Sequence, residues 1–221
     1  MTREEAVPAH PRRGTSPKRE AIACAARAVF AREGYSRASV DAIAAEAGVS
    51  KRTIYNHYKD KEQLFLLTIQ ESAQAVGAAR RALIERHLSE VTDLEADLEA
   101  FGRAWATPLT GFENHFALVR VIIAEAARLP PEILQGWHDA GPGPVMEELT
   151  RCVGRLAERG LLVLDDAEQA TNHLMLLVNT DIIERSFHGA VPLADAEINK
   201  LVTAGVRTFL RLYGPGSTLP S

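Results

Sequence analysis

Between residues 39 and 58, two short apolar repeats flank a single glycine, and this stretch restricts the fold more than any other. Val40, Ile43, Ala44 and Ala47 recur at i, i+3, i+4 and i+7, one face of a short helix. Ser39 stands where an N-cap belongs, and Asp41 places a negative charge in the first turn, where it suits the helix dipole. Gly48 supplies the stop. Ser50 then caps a further helix, with Val49 and Ile54 at the two positions of a hydrophobic staple. Helix, tight glycine turn and capped helix make a helix-turn-helix pattern.

The remaining chain reads as helical almost throughout. Ile22, Ala26, Val29 and Phe30 form one face of a helix over residues 18–33, which Gly34 ends. Asp60 and Gln63 have the spacing of a capping box and start a helix that reaches about residue 87. Further helices are expected over 92–107, 112–129, 144–160, 166–188 and 194–213. Pro108, Pro130-Pro131 and Gly141-Pro142-Gly143-Pro144 punctuate them. Residues 161–166 (LLVLDD) are short and lack a partner run, which favours a loop over a strand. The expected fold is all-α. A mobile basic tail covers 1–17, a helix-turn-helix domain 18–62, and a larger helical domain 63–221.

Charge is unevenly placed. The net charge is −4, yet residues 1–60 hold eleven Lys and Arg against seven Asp and Glu. The rest hold fourteen against twenty-two, so the front is suited to a polyanion and the remainder is not. The basic tail residues Arg12, Arg13, Lys18 and Arg19 are candidates to enter a minor groove, or simply to add charge.

Several classes are disfavoured. No apolar run approaches the roughly 20 residues needed to span a bilayer, and the N-terminus lacks the apolar core of a secretory signal. Cys24 and Cys152 are too few for a disulfide framework and fit a reducing cytoplasm. His115, His138, His173 and His188 show no paired ligand spacing, so neither metal nor cofactor is expected. Gly141 to Pro144 lacks the lysine of a phosphate loop, and no nucleophile–base pair is visible, which argues against an enzyme.

On a helix over 50–59, Ile54 and Tyr58 face inward, while Lys51, Arg52, Tyr55, Asn56 and Lys59 share the opposite face. A merely solvated face needs no particular donor pattern. This one has arginine and lysine for guanine O6 and N7, asparagine for adenine, and tyrosine for a thymine methyl or a phosphate. The second helix of such a motif enters the major groove N-terminal end first, which puts Lys51, Arg52 and Tyr55 nearest the bases. Thr53, His57, Lys61 and the amides near Ser39 and Val40 are expected at phosphates, and Ser50, the cap, is counted among the DNA-binding residues.

Phe30 with Gly34-Tyr35, the Ser39–Ile43 helix start and the Ala47-Gly48-Val49-Ser50 turn form a specific combination. Thr53-Ile54-Tyr55, Tyr58 and Lys61-Glu62 complete it. The run resembles the DNA-binding domain of the TetR family of bacterial transcriptional regulators over about 50 residues. The resemblance implies base reading by Lys51, Arg52 and Tyr55, and phosphate contacts from Thr53, Asn56, His57 and Lys61. It also implies an all-helical homodimer on a palindromic double-stranded operator, most often a repressor released by a small molecule.

The family diverges beyond this domain, and there the resemblance says little residue by residue. Leu174 to Val178, with Ile182 and Ile183, is apolar nearly all round its helix, and the last helix carries a broad apolar stripe. A four-helix bundle across a two-fold axis is expected, mostly because the resemblance implies one, through Leu174, Leu177, Ile182, Leu201, Val202, Gly205 and Phe209; the alternative is intrachain core. Aromatic and polar residues mix in the middle helices, and Phe101, Trp105, His115, Met146 and Asn179 are the expected lining of a largely apolar effector pocket. No ligand charge is evident: Arg103 and Arg120 are equally suited to neighbouring carboxylates. A regulator whose second domain only dimerises or binds a protein remains the alternative.

Overall fold

Caps, glycines and prolines cut the chain into ten α-helices, described over residues 17–217 of a computed structural model. They are α1 (Pro17–Glu33), α2 (Val40–Glu46), α3 (Lys51–Tyr55), α4 (Lys61–Leu88) and α5 (Leu94–Ala106). After them come α6 (Glu113–Glu125), α7 (Pro131–Ala140), α8 (Pro142–Glu158), α9 (Ala167–Arg185) and α10 (Asp195–Tyr213). The described residues are thus all-α, and none of their helices is long and apolar enough to cross a membrane. Arg12, Arg13 and the rest of residues 1–16 lie outside the described residues, whereas Pro17 opens α1 and the expected tail residues Lys18 and Arg19 belong to its first turn, Arg19 reaching Glu71 at 3.7 Å.

Three expectations need correction. First, α3 ends at Tyr55 rather than continuing to 59, because Asp60 must turn extended to cap α4. Second, α7 occupies the stretch between the two proline clusters. Pro131 and Pro142 sit in the first turns of α7 and α8, where the missing N–H is not needed. They start helices; they do not separate them. Third, α6 stops at Glu125 and gives way to a 3-10 turn over Ala126–Arg128. Residues 161–166 are the expected loop, tied down by the Val163 N–H on the Tyr213 carbonyl at 2.8 Å.

Two apolar clusters hold the molecule. One joins Ile22, Phe30, Ile43, Ile54, Tyr58, Leu64 and Phe65 from α1 to α4. It does not stop at the expected boundary after residue 62, since Leu118, Ile122 and Ile133 of α6 and α7 complete it. The other gathers Ile84, Phe101, Leu149, Val153, Leu174, Val202 and Phe209 from α4, α5, α8, α9 and α10. Here α9 and α10 approach so closely that a Cβ added at Gly205 would run into the Leu177 carbonyl.

That close pairing also corrects the expected dimer surface. Leu174, Ile182, Val202, Gly205 and Phe209 are buried within the single chain, and Leu177 and Leu201 are half-buried. Large apolar side chains left exposed here include Leu176, Phe187, Val191 and Leu212, with Leu176 59% and Phe187 68% exposed.

Candidate nucleic-acid interface and effector cavity

The front of the molecule is built from three caps. Ser39 Oγ accepts from the Ala42 N–H at 3.1 Å, and Ser50 Oγ from the Thr53 N–H at 3.1 Å. Asp60 accepts from the Gln63 N–H at 2.8 Å while Gln63 reaches back to the Lys59 N–H at 2.7 Å. The caps fix where α2, α3 and α4 begin, and Gly48 at φ +65° makes the turn between the first two. Ile54 and Tyr58 lock α3 inward, 1% and 3% exposed. Lys51, Arg52, Tyr55, Asn56, His57 and Lys59 are left exposed, and Thr53 is half-buried with its hydroxyl 2.8 Å from Ser50 Oγ.

Two of these cations differ in how free they are. Lys51 meets Asp41 of α2 at 2.9 Å, which raises its pKa through the hydrogen bond; the pair is exposed and readily exchanged for a phosphate. Arg52 has no ion-pair or side-chain hydrogen-bond partner among the described residues. Lys61, expected at a phosphate, is turned inward. It donates to the Tyr35 carbonyl at 2.9 Å and the Ala38 carbonyl at 3.2 Å, and lies 4.6 Å from the Tyr35 ring centre. Its work in this structure is to tie the α1–α2 loop to α4.

The same loop is held from the other side by α6. Glu125 accepts from the Ser36 N–H at 3.0 Å and from the Ser36 hydroxyl. The helix that ends on the helix-turn-helix unit begins, at His115, on a cavity of about 170 Å³. Trp105, His115 and Met146 line it as expected, with Ala73, Val76 and Val145. Phe101 and Asn179 do not. Phe101 is fully buried behind Trp105, their ring centres 5.5 Å apart, and Asn179 sits on α9 away from the lining. His115 Nδ1 lies 3.0 Å from Ser72 Oγ, and burial, with the nearby Arg80 charge, pushes its pKa down to about 4.

Arg80 is the lining residue that the sequence reading missed. Its guanidinium lies 4.6 Å from the Trp105 ring centre and donates to the Trp105 carbonyl, and burial lowers its pKa to about 10. A signal was present: Ile69, Ala73, Val76, Ile84 and Leu88 are the buried stripe of α4, and Arg80 falls in its gap. By contrast, Arg103 meets Glu99 at 3.0 Å, and Arg120 donates to the His188 carbonyl.

Comparison with known proteins agrees with both halves. Residues 22–68 match the bacterial regulatory proteins of the tetR family, and residues 96–215 match the C-terminal domain of AefR-like transcriptional repressors. The DNA-binding transcriptional repressor TetR of Mycobacteroides abscessus is 31% identical over 82% of this chain and 88% of its own length. The HTH-type transcriptional repressor AcnR of Corynebacterium efficiens is 28% identical over 86% and 92%. Among solved structures, a TetR-family regulator from Mesorhizobium loti superposes with TM-score 0.77 at 31% identity, covering 89% of this chain and 96% of its own. The flavonoid-responsive regulator FrrA superposes at 0.66 with 28% identity, over 90% and 98%. The chain belongs to the TetR family of bacterial regulatory proteins and is a DNA-binding transcriptional regulator, not an enzyme.

Proposed function

We propose that the chain is a cytoplasmic homodimeric repressor that binds a two-fold symmetric operator through α3 and leaves it when a small molecule fills the cavity. The observation that carries the first part is the exposed donor face of α3, with Arg52 unpaired among the described residues and Ile54 and Tyr58 anchoring the opposite side. Lys51, Arg52 and Tyr55 read bases, and Ser39, Val40, Ser50, Thr53, Asn56 and His57 lie along the phosphates. The repressor assignment follows relatives so named. Pairing of subunits is assigned to the exposed Leu176, Phe187, Val191 and Leu212.

Two helices join the cavity to the head. α6 carries His115 at one end and Glu125, on Ser36, at the other; α4 carries Arg80 and Lys61. A ligand that displaces either helix shifts the seat of α3, and differential affinity for the two arrangements is what releases DNA. The FrrA relative, named as flavonoid-responsive, supports a small-molecule signal over a purely protein one. The test is a mobility shift on DNA upstream of the chain's own gene, repeated with a panel of small aromatic and aliphatic compounds. Retardation reversed by a member of the panel is expected. No retardation on that DNA or on any selected sequence contradicts the proposal.

A further inference from the structure

We propose that the cavity takes a small apolar monocarboxylic acid whose carboxylate is held by Arg80. This rests on the cavity being the effector site, and it names the chemistry of the effector. Arg80 is the one formally charged side chain among the described residues lining the cavity. One of its N–H donors is used on the Trp105 carbonyl, and no carboxylate among the described residues counters its burial. A guanidinium removed from water without an anion is costly, and an anion arriving from solution repays that cost.

The surroundings select the same partner. His115, its pKa pushed down to about 4, is neutral near pH 7 and adds no competing charge. When Ser72 donates to Nδ1, the imidazole proton sits on Nε2 and gives a second donor. Gly141 and Pro142 bring the N-terminal end of the 17-residue α8 to the cavity wall, with no side-chain cap and no acidic residue in its first turn. Ala73, Val76, Trp105, Val145 and Met146 line the rest and suit an apolar body. A dry cavity of about 150 Å³ accepts benzene. At about 170 Å³, one ring or a short alkyl chain bearing a carboxylate fits. An amine is repelled, and a neutral polar group leaves the guanidinium without a counter-ion.

The experiment is calorimetry and thermal shift on the full chain with benzoate, phenylacetate and hexanoate against benzamide, benzyl alcohol and benzylamine. The acids are expected to bind at least about tenfold more tightly than their neutral counterparts. Arg80→Gln should abolish that preference, and Arg80→Lys should retain a weaker one. Should Arg80→Gln fail to fold, the ranking of acid, neutral and amine on the unaltered chain decides alone. Equal binding of neutral or cationic analogues, or no acid binding up to about 10 mM, overturns the proposal. The mobility shift separates the two levels. A neutral compound that binds and releases DNA sinks the acid assignment but keeps the effector site. Arg80-dependent acid binding without release does the reverse.

Discussion

Arg52 and Arg80 are the same side chain in opposite settings. Arg52 stands in water on α3 and, on the reading proposed above, would lose its hydration only on meeting DNA; Arg80 is desolvated by folding itself, over Trp105. Exposed cations of the first kind add to DNA affinity through counterion release and, where one meets a base edge as proposed for Arg52, to sequence preference. The second acts through short-range hydrogen bonds to one group, in a site where salt screens little. Formal charge in the sequence therefore says little until burial is known.

The largest separation between the two should appear with salt. Raising salt from about 50 to 200 mM should weaken operator binding roughly a thousandfold, and acid binding at Arg80 less than about threefold. Similar slopes for both would erase the distinction. Next in size, Arg52→Ala should cost about 1–3 kcal/mol in operator affinity and relax preference at one position per half-site. Footprinting on operator variants reads both.

The largest histidine pH effect belongs to the cavity. The folded pKa of His115 is lowered from 6.5 to about 4, so the unfolded chain takes the proton first. Stability is full above pH 6.5 and falls toward pH 4, by about 1.4 kcal/mol per unit, or roughly 2 kcal/mol by pH 5. Urea midpoints at pH 7 and 5, compared with His115→Asn, check this; equal pH dependence in both proteins would remove His115 as its source. Smallest, Asp60→Ala should cost about 1 kcal/mol by loss of the α4 cap, and thermal unfolding measures it.

The front unit was legible because its signals are local. Ser39, Ser50 and Asp60 cap as their spacing predicts, and Ile54 and Tyr58 are core. What failed depended on contacts distant in sequence. An all-apolar helix face does not say whether its cover is the same chain or another, and Leu174, Val202 and Phe209, which suit an interface equally well, are interior. Phe101 has the chemistry of a pocket residue, but Trp105 stands in front of it. Pro131 and Pro142 show that proline marks a helix start as readily as a break. Lys61 looked like a free cation because the carbonyls it serves lie about 25 residues earlier in the chain.

The central claim is that α3 reads DNA as one of a symmetric pair. Selection from random duplex DNA, run side by side with the unaltered chain and Arg52→Ala, tests it most directly. An inverted repeat with half-sites about 10 bp apart or a little more should be enriched. Arg52→Ala should lose preference at one symmetric pair of positions. Enrichment of no inverted repeat, or the same preference from both proteins, would contradict it.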